Sequence, residues 1–129
     1  MLLKPLTEYF QQVQNAVGQI QDAYVELYEE EVLSPSRINL KIQVRFLTQA
    51  FLEISEAIFL EKGKIRHLGY RYHLQDVDNN LIFRYDNTPH YPDLEYFPEH
   101  KHLLSEVLPA KRPSIWEVLG ESQSLASSK

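Results

Sequence analysis

No cysteine occurs among the 129 residues of this chain, which excludes disulfides, thiolate nucleophiles and thiolate metal sites of the zinc-finger kind. Glycine is nearly as scarce, at four residues, and none falls in a phosphate-binding loop, a dinucleotide fingerprint or a nucleophile elbow. No helix-turn-helix pattern is present either. No apolar run approaches the roughly 18 residues that a membrane-spanning helix needs, and the first residues lack the charged-then-apolar pattern of an export signal. The expectation is a soluble, unexported protein of the cytoplasm, with no cofactor and no resident metal.

Positive charge is also in short supply. Thirteen lysines and arginines face 18 acidic residues, giving a net charge of −5, and the excess acid sits in the first half. Non-specific attraction to nucleic acid usually shows as a basic surface, so only a local basic patch could serve it. The one candidate is the stretch holding Lys62, Lys64, Arg66, Arg71 and Arg84. What the chain does have is 43% hydrophobic residues, enough for one ordinary globular core. A single domain over residues 1–120 is expected, with a polar, disordered tail over 121–129.

After Pro5, apolar residues recur in steps of four and three at Leu6, Phe10, Val13, Val17, Ile20, Tyr24 and Leu27. That spacing predicts one long amphipathic helix over residues 6–30, stopped by Ser34-Pro35-Ser36. From Arg37 the period becomes two, and strands follow over 37–46, 51–60, 65–75 and 81–86, with a hairpin turn at Asp76 to Asn80. Prolines 89, 92 and 98 break the next segment, residues 99–108 could hold a turn or two of helix, and 113–119 suits a short helix ending at Gly120. The fold class is therefore α+β: an antiparallel meander of about four strands under the long helix, edged by a proline-rich segment.

Strand parity then sorts the polar residues. Leu68, Tyr70, Tyr72 and Leu74 share one face of their strand, leaving His67, Arg71 and His73 on the other, while Arg84 and Asp86 oppose Phe83 and Tyr85. Arg71, His73, Arg84 and Asp86 should meet on one sheet face, where two guanidiniums suit a phosphate and an imidazole can move a proton. The same cluster could equally be a solvated face of cross-strand pairs. Glu56 falls among Leu52, Ile54 and Ile58 on the apolar side, where it needs a buried partner or carries a raised pKa. His100-Lys101-His102 admits three readings: a metal-ligand pair, acid–base groups of a phosphoryl-transfer site, or a basic turn. His90 lies in the proline-rich segment beside them.

The runs Tyr70-Arg-Tyr-His-Leu-Gln-Asp76, Leu81-Ile-Phe-Arg-Tyr-Asp-Asn-Thr-Pro-His90 and Phe97-Pro-Glu-His-Lys-His102 together resemble the TumE family, small bacterial toxin components of toxin–antitoxin pairs. The resemblance spans Leu52 to Leu119 and is weak before it. Two departures are Tyr91 and Glu99, where the family often has histidine. Glu56 falls on a glutamate that the resemblance also implies. It implies as well a toxin with an antitoxin partner encoded by an adjacent gene.

Taken with the polar cluster, the expected activity is that of a metal-independent ribonuclease. His73 and His100 would be acid and base, Glu56 and Asp86 orienting carboxylates, and Arg71, Arg84, Lys101, His90 and His102 the substrate-binding groups. Two alternatives stand beside it. One is a non-catalytic interaction module whose acidic run Glu26, Glu29, Glu30, Glu31 meets a basic partner. The other is a metal-dependent nuclease using Glu56, Asp86 and His90.

Overall fold

A computed structural model describes residues 2–127. Helix α1 covers Lys4–Gly18, with Pro5 in its first turn, where a missing N–H costs nothing. It buries Leu6, Phe10, Val13 and Val17. Seven strands follow: β1 (Ala23–Ser34), β2 (Arg37–Phe46), β3 (Phe51–Glu61), β4 (Lys64–Gln75), β5 (Leu81–Asp86), β6 (His100–His102) and β7 (Val107–Pro109). Helix α2, Ile115–Ser127, closes the chain. The strands form one antiparallel sheet in sequential order, a meander with no crossovers. Both helices pack on the same side of it, over Ile38, Leu40, Ile42, Leu52, Ile54, Tyr72, Leu74 and Phe83. The other side carries no helix, and most polar positions of the inner strands project there; Glu56, His67 and Lys101 are exceptions.

The expected 6–30 helix is two elements. Its stripe holds only as far as Val17; Ile20 is half-buried, Leu27 lies on β1 and Tyr24 is exposed there. The helix ends at Gly18, and Asp22, whose φ of 56° lies in the left-handed region that aspartate tolerates and a helix does not, keeps it from resuming before β1. Ser34-Pro35-Ser36 ends β1 as a hairpin turn into β2 and ends no helix. The about four strands expected become seven because β1 replaces half the helix and the segment expected to be helical over 99–108 instead supplies β6 and β7. At the other end, α2 runs through Gly120 to Ser127, so 121–127 is helix where a disordered tail was expected; residues 128–129 lie outside the described residues. A capping box starts this helix: the Glu117 amide donates to Ser114 Oγ at 3.1 Å, and the Ser114 amide to Glu117 Oε1 at 2.9 Å.

One local irregularity matters for the chemistry. The β3–β4 register pairs Ala57 with Gly69 but Ile58 with His67, leaving Leu68 as an extra residue, a β-bulge. The bulge reverses side-chain parity below Gly69. Leu68 therefore faces solvent at 49% exposure, and His67 turns to the helix-covered side, the reverse of what plain alternation predicts. Asn87, just past the end of β5, completes the interrupted ladder: its side chain accepts from the Tyr70 amide at 3.2 Å and donates to the Leu68 carbonyl at 3.3 Å. This arrangement gives an expected result for urea unfolding. Val13→Ala, under α1, should cost about 2 kcal/mol, whereas Leu68→Ser should stay within about 0.5 kcal/mol. A large loss at Leu68 would contradict the bulge.

Candidate active site

Residues facing each other across antiparallel strands project to the same side, so register alone assembles the open face. One row across β3, β4, β5 and β6 reads Glu53, His73, Arg84, His102. The row two residues along reads Ser55, Arg71, Asp86, His100. Six of the sequence-selected residues, Arg71, His73, Arg84, Asp86, His100 and His102, thus converge on one end of one face. A groove of about 560 Å³ is lined by Arg71 alone of these six, with Thr88 beside it.

Asp86 is the hub. It is 4% exposed; its Oδ1 accepts from the Thr88 amide at 3.0 Å, the Asx turn that ends β5, and its Oδ2 from Arg84 Nε at 3.2 Å. His100 Nε2 lies 2.9 Å from Oδ1, and His102 Nε2 lies 3.6 Å from Oδ2. The two imidazoles meet through their Nε2 atoms at 3.0 Å. His100 is 1% exposed, because the proline-rich segment after β5 folds back and sets the Tyr91 ring edge-on over both histidines, with centroids 5.1 and 5.8 Å away. A carbonyl can only accept, so the 2.9 Å contact between His100 Nδ1 and the Pro98 oxygen puts a proton on Nδ1. His100 Nε2 then stands within hydrogen-bond distance of both Asp86 Oδ1 and His102 Nε2.

His73 lies across Arg84 from His102. Its Nε2 is 2.9 Å from Gln75 Oε1, and Gln75 donates its amide onward to Asn79. Nε2 is therefore the protonated nitrogen, and Nδ1, buried and without a hydrogen-bond partner among the described residues, keeps its lone pair. Burial, together with the charges of Arg71 and Arg84, holds His73 below the ordinary imidazole pKa despite Gln75. His102 is lowered too, by burial first and then by Arg84.

Three expected site residues lie elsewhere. Lys101 projects to the helix side, bound to Glu121 at 2.8 Å and resting over the Tyr85 ring. His90 is exposed in the segment next to Tyr91. Glu56 is on the helix-covered side, paired with Tyr70 in register, so it cannot share an ion with Asp86 and the Glu56–Asp86–His90 metal set is not assembled. Glu56 instead has its own buried partners: Tyr9 Oη donates to it at 2.6 Å, Tyr72 Oη donates as well, and His67 Nε2 and Arg112 stand at 3.2 and 3.7 Å. Burial pushes its carboxyl up, but His67, Tyr72 and Tyr9 outweigh that and leave it below the usual carboxylate range. Burial and this carboxylate raise both tyrosines, which stay neutral phenols. His67, Tyr9 and Arg112 were not selected from the sequence; only the unpaired glutamate on an apolar face signalled that such partners had to exist.

An α+β meander carrying a histidine–arginine–aspartate cluster on its open face is the class of protein that this geometry defines. The chain belongs to the toxin TumE family, whose model matches it over residues 12–124. The match extends well before Leu52, where the sequence resemblance begins. No curated protein and no solved structure matches the chain. Among the described residues no helix is long and apolar enough to cross a membrane.

Proposed function

We propose that this toxin acts in the cytoplasm by cleaving RNA without metal, at the Arg71–His73–Arg84–Asp86–His100–His102 cluster. The observation that carries the reading is the row His73, Arg84, His102: a guanidinium with an imidazole on either side. Displacement at a phosphodiester needs that order, a base near the attacking oxygen, a cation on the phosphate and an acid near the leaving oxygen. His73 is the base: its Nδ1 carries the unpaired lone pair but is buried, so the imidazole turns from Gln75 to bring that nitrogen to the substrate. It takes the proton of the ribose 2′-hydroxyl as the 2′-oxygen bonds to phosphorus. The bond from phosphorus to the 5′-oxygen breaks, and His102 protonates that oxygen while drawing a proton from His100. Arg84 and Arg71 neutralise the charge that builds on the phosphoryl oxygens. His100, buried and held by Pro98 and Asp86, positions and recharges His102 and does not meet the substrate.

The antitoxin is the proposed protein partner. Strand β1 is an open sheet edge with Tyr24, Val25, Val32 and Leu33 exposed beside Glu29 and Glu31, which suits a basic, partly apolar segment. Expression of the chain alone in a bacterium should arrest growth with loss of intact RNA. His73→Ala should restore growth at equal protein level. Arrest that persists with His73→Ala, or arrest with RNA intact, would refute the reading.

The lowered pKa of His73 sets the sign of a pH test. A base must be deprotonated to act, and a folded pKa below 6.5 keeps it so under mildly acid conditions. The acid limb of the cleavage-rate profile should therefore lie below pH 6.5. Arg84→Gln removes one of the charges that lower it, so in the residual activity that limb should move upward.

A further inference from the structure

We infer that Asp86, His100 and His102 form a site for one divalent transition-metal ion of the zinc class, and that its occupancy switches the toxin off. The inference deepens the RNA-cleavage reading, and only its inhibitory half rests on that reading.

The argument begins with an unresolved contact. With the Nδ1 proton committed to the Pro98 carbonyl, His100 Nε2 presents a lone pair to a carboxylate oxygen at 2.9 Å and to a second imidazole nitrogen at 3.0 Å. Two lone pairs facing each other that closely need a positive centre between them. One proton can serve, and so can a metal ion. The spacing fits the metal. Ligands about 2.1 Å from zinc stand about 3.0 Å apart in octahedral and about 3.4 Å apart in tetrahedral geometry. His100 Nε2 stands at about these spacings from Asp86 Oδ1, at 2.9 Å, and from His102 Nε2, at 3.0 Å, while His102 Nε2 lies 3.6 Å from the other carboxylate oxygen, Oδ2; one donor atom from each of the three residues falls within 4.8 Å of the other two.

The supports are those of a built site. Asp86 and His100 are both more than nine-tenths buried, and His100 is side-chain-oriented by a carbonyl on its remote nitrogen, the usual outer contact of a metal-bound histidine. The Thr88 amide fixes the carboxylate. Two imidazoles and one carboxylate are a donor set that zinc, cobalt and related ions take, while magnesium and calcium prefer oxygen. Arg84, at 3.2 Å from the same carboxylate, opposes a second positive charge, which makes the ion exchangeable. A metal there consumes the His102 lone pair and displaces the proton that His100 supplies, so the acid of the cleavage step is lost.

The test uses the purified full chain and zinc or cobalt ions alone. Calorimetry should give one zinc per chain, and cobalt should produce visible ligand-field bands. Both should be lost in His102→Ala, with affinity lowered at least about tenfold, and kept in His90→Ala, which removes a nearby exposed imidazole. If His102→Ala unfolds, His102→Gln gives the same comparison. Zinc should slow RNA cleavage, and a chelator should restore it. Absence of stoichiometric binding, or binding that survives loss of His102, overturns the site and leaves the cleavage reading standing. Binding lost with His102 in a protein that cleaves no RNA under any condition upholds the site and overturns the activity. Cleavage that requires the ion upholds the site, overturns its inhibitory role and refutes the metal-free step.

Discussion

Glu56→Ala should cost about 3–5 kcal/mol of folding stability, the largest loss expected at any polar position, because it removes the common acceptor of a buried network. The Glu56 side chain is 0% exposed, and its removal leaves Tyr9 and Tyr72 hydroxyls without their acceptor and Arg112 without its nearest carboxylate. Leaving such groups unpaired in a dry interior costs more than their bonds were worth when made. The same residue sets a pH dependence. Its folded pKa is depressed, so its contribution is fully present above the ordinary carboxyl value of 4.5 and is lost as pH falls through the folded value. Urea midpoints measured across that range should drop for the wild-type chain, and the drop should flatten in Glu56→Gln. A Glu56→Ala protein as stable as wild type would contradict the buried network.

His102→Ala and His73→Ala should each lower the rate of RNA cleavage by on the order of 10²- to 10⁴-fold, the usual worth of a positioned acid or base. Stability should change little, since the two are partly exposed and neither is the hub of a buried network. His100→Ala should behave differently. It should lose both rate and stability, because a buried ring packed under Tyr91 leaves a cavity beside an unpaired Asp86. The double variant His73→Ala/His102→Ala should be no slower than the product of the single losses would give, as groups acting in one step are non-additive. Lys101→Ala should leave the rate unchanged, since that side chain points away from the open face.

Much of this arrangement is legible in the sequence because period two is a strong signal. Residues 37–46 alternate cleanly, and matching the apolar sets of 68–74 and 81–85 puts Arg71, His73, Arg84 and Asp86 on one face; counting from the turn alone would not, because Gln75 pairs with Leu81 but Leu74 with Phe83, an irregularity that sets His73 opposite Arg84. The helix stripe misleads because Ile20, Tyr24 and Leu27 continue its spacing by coincidence across Asp22, and a left-handed residue leaves no mark on hydrophobic period. Strands β6 and β7, three residues each, are too short to show any period; pairing with β5 makes them strands. His67 is misplaced for a single reason, the extra Leu68, since one inserted residue sends every later side chain to the other face. His100 looks like an accessible acid in the sequence and is buried in the fold, because Tyr91 reaches it only when the segment between β5 and β6 folds back. Partners distant in sequence, such as Tyr9 for Glu56 across 47 residues, carry no local pattern at all.

The most direct measurement of whether the histidine–arginine row works on RNA is scission of an end-labelled single-stranded RNA by the purified chain in the presence of a chelator, with the product ends identified. The expected result is cleavage that leaves 2′,3′-cyclic phosphates and falls by at least about 100-fold in both His73→Ala and His102→Ala. RNA left intact by a folded wild-type chain, or cleaved at the wild-type rate by both variants, would contradict it.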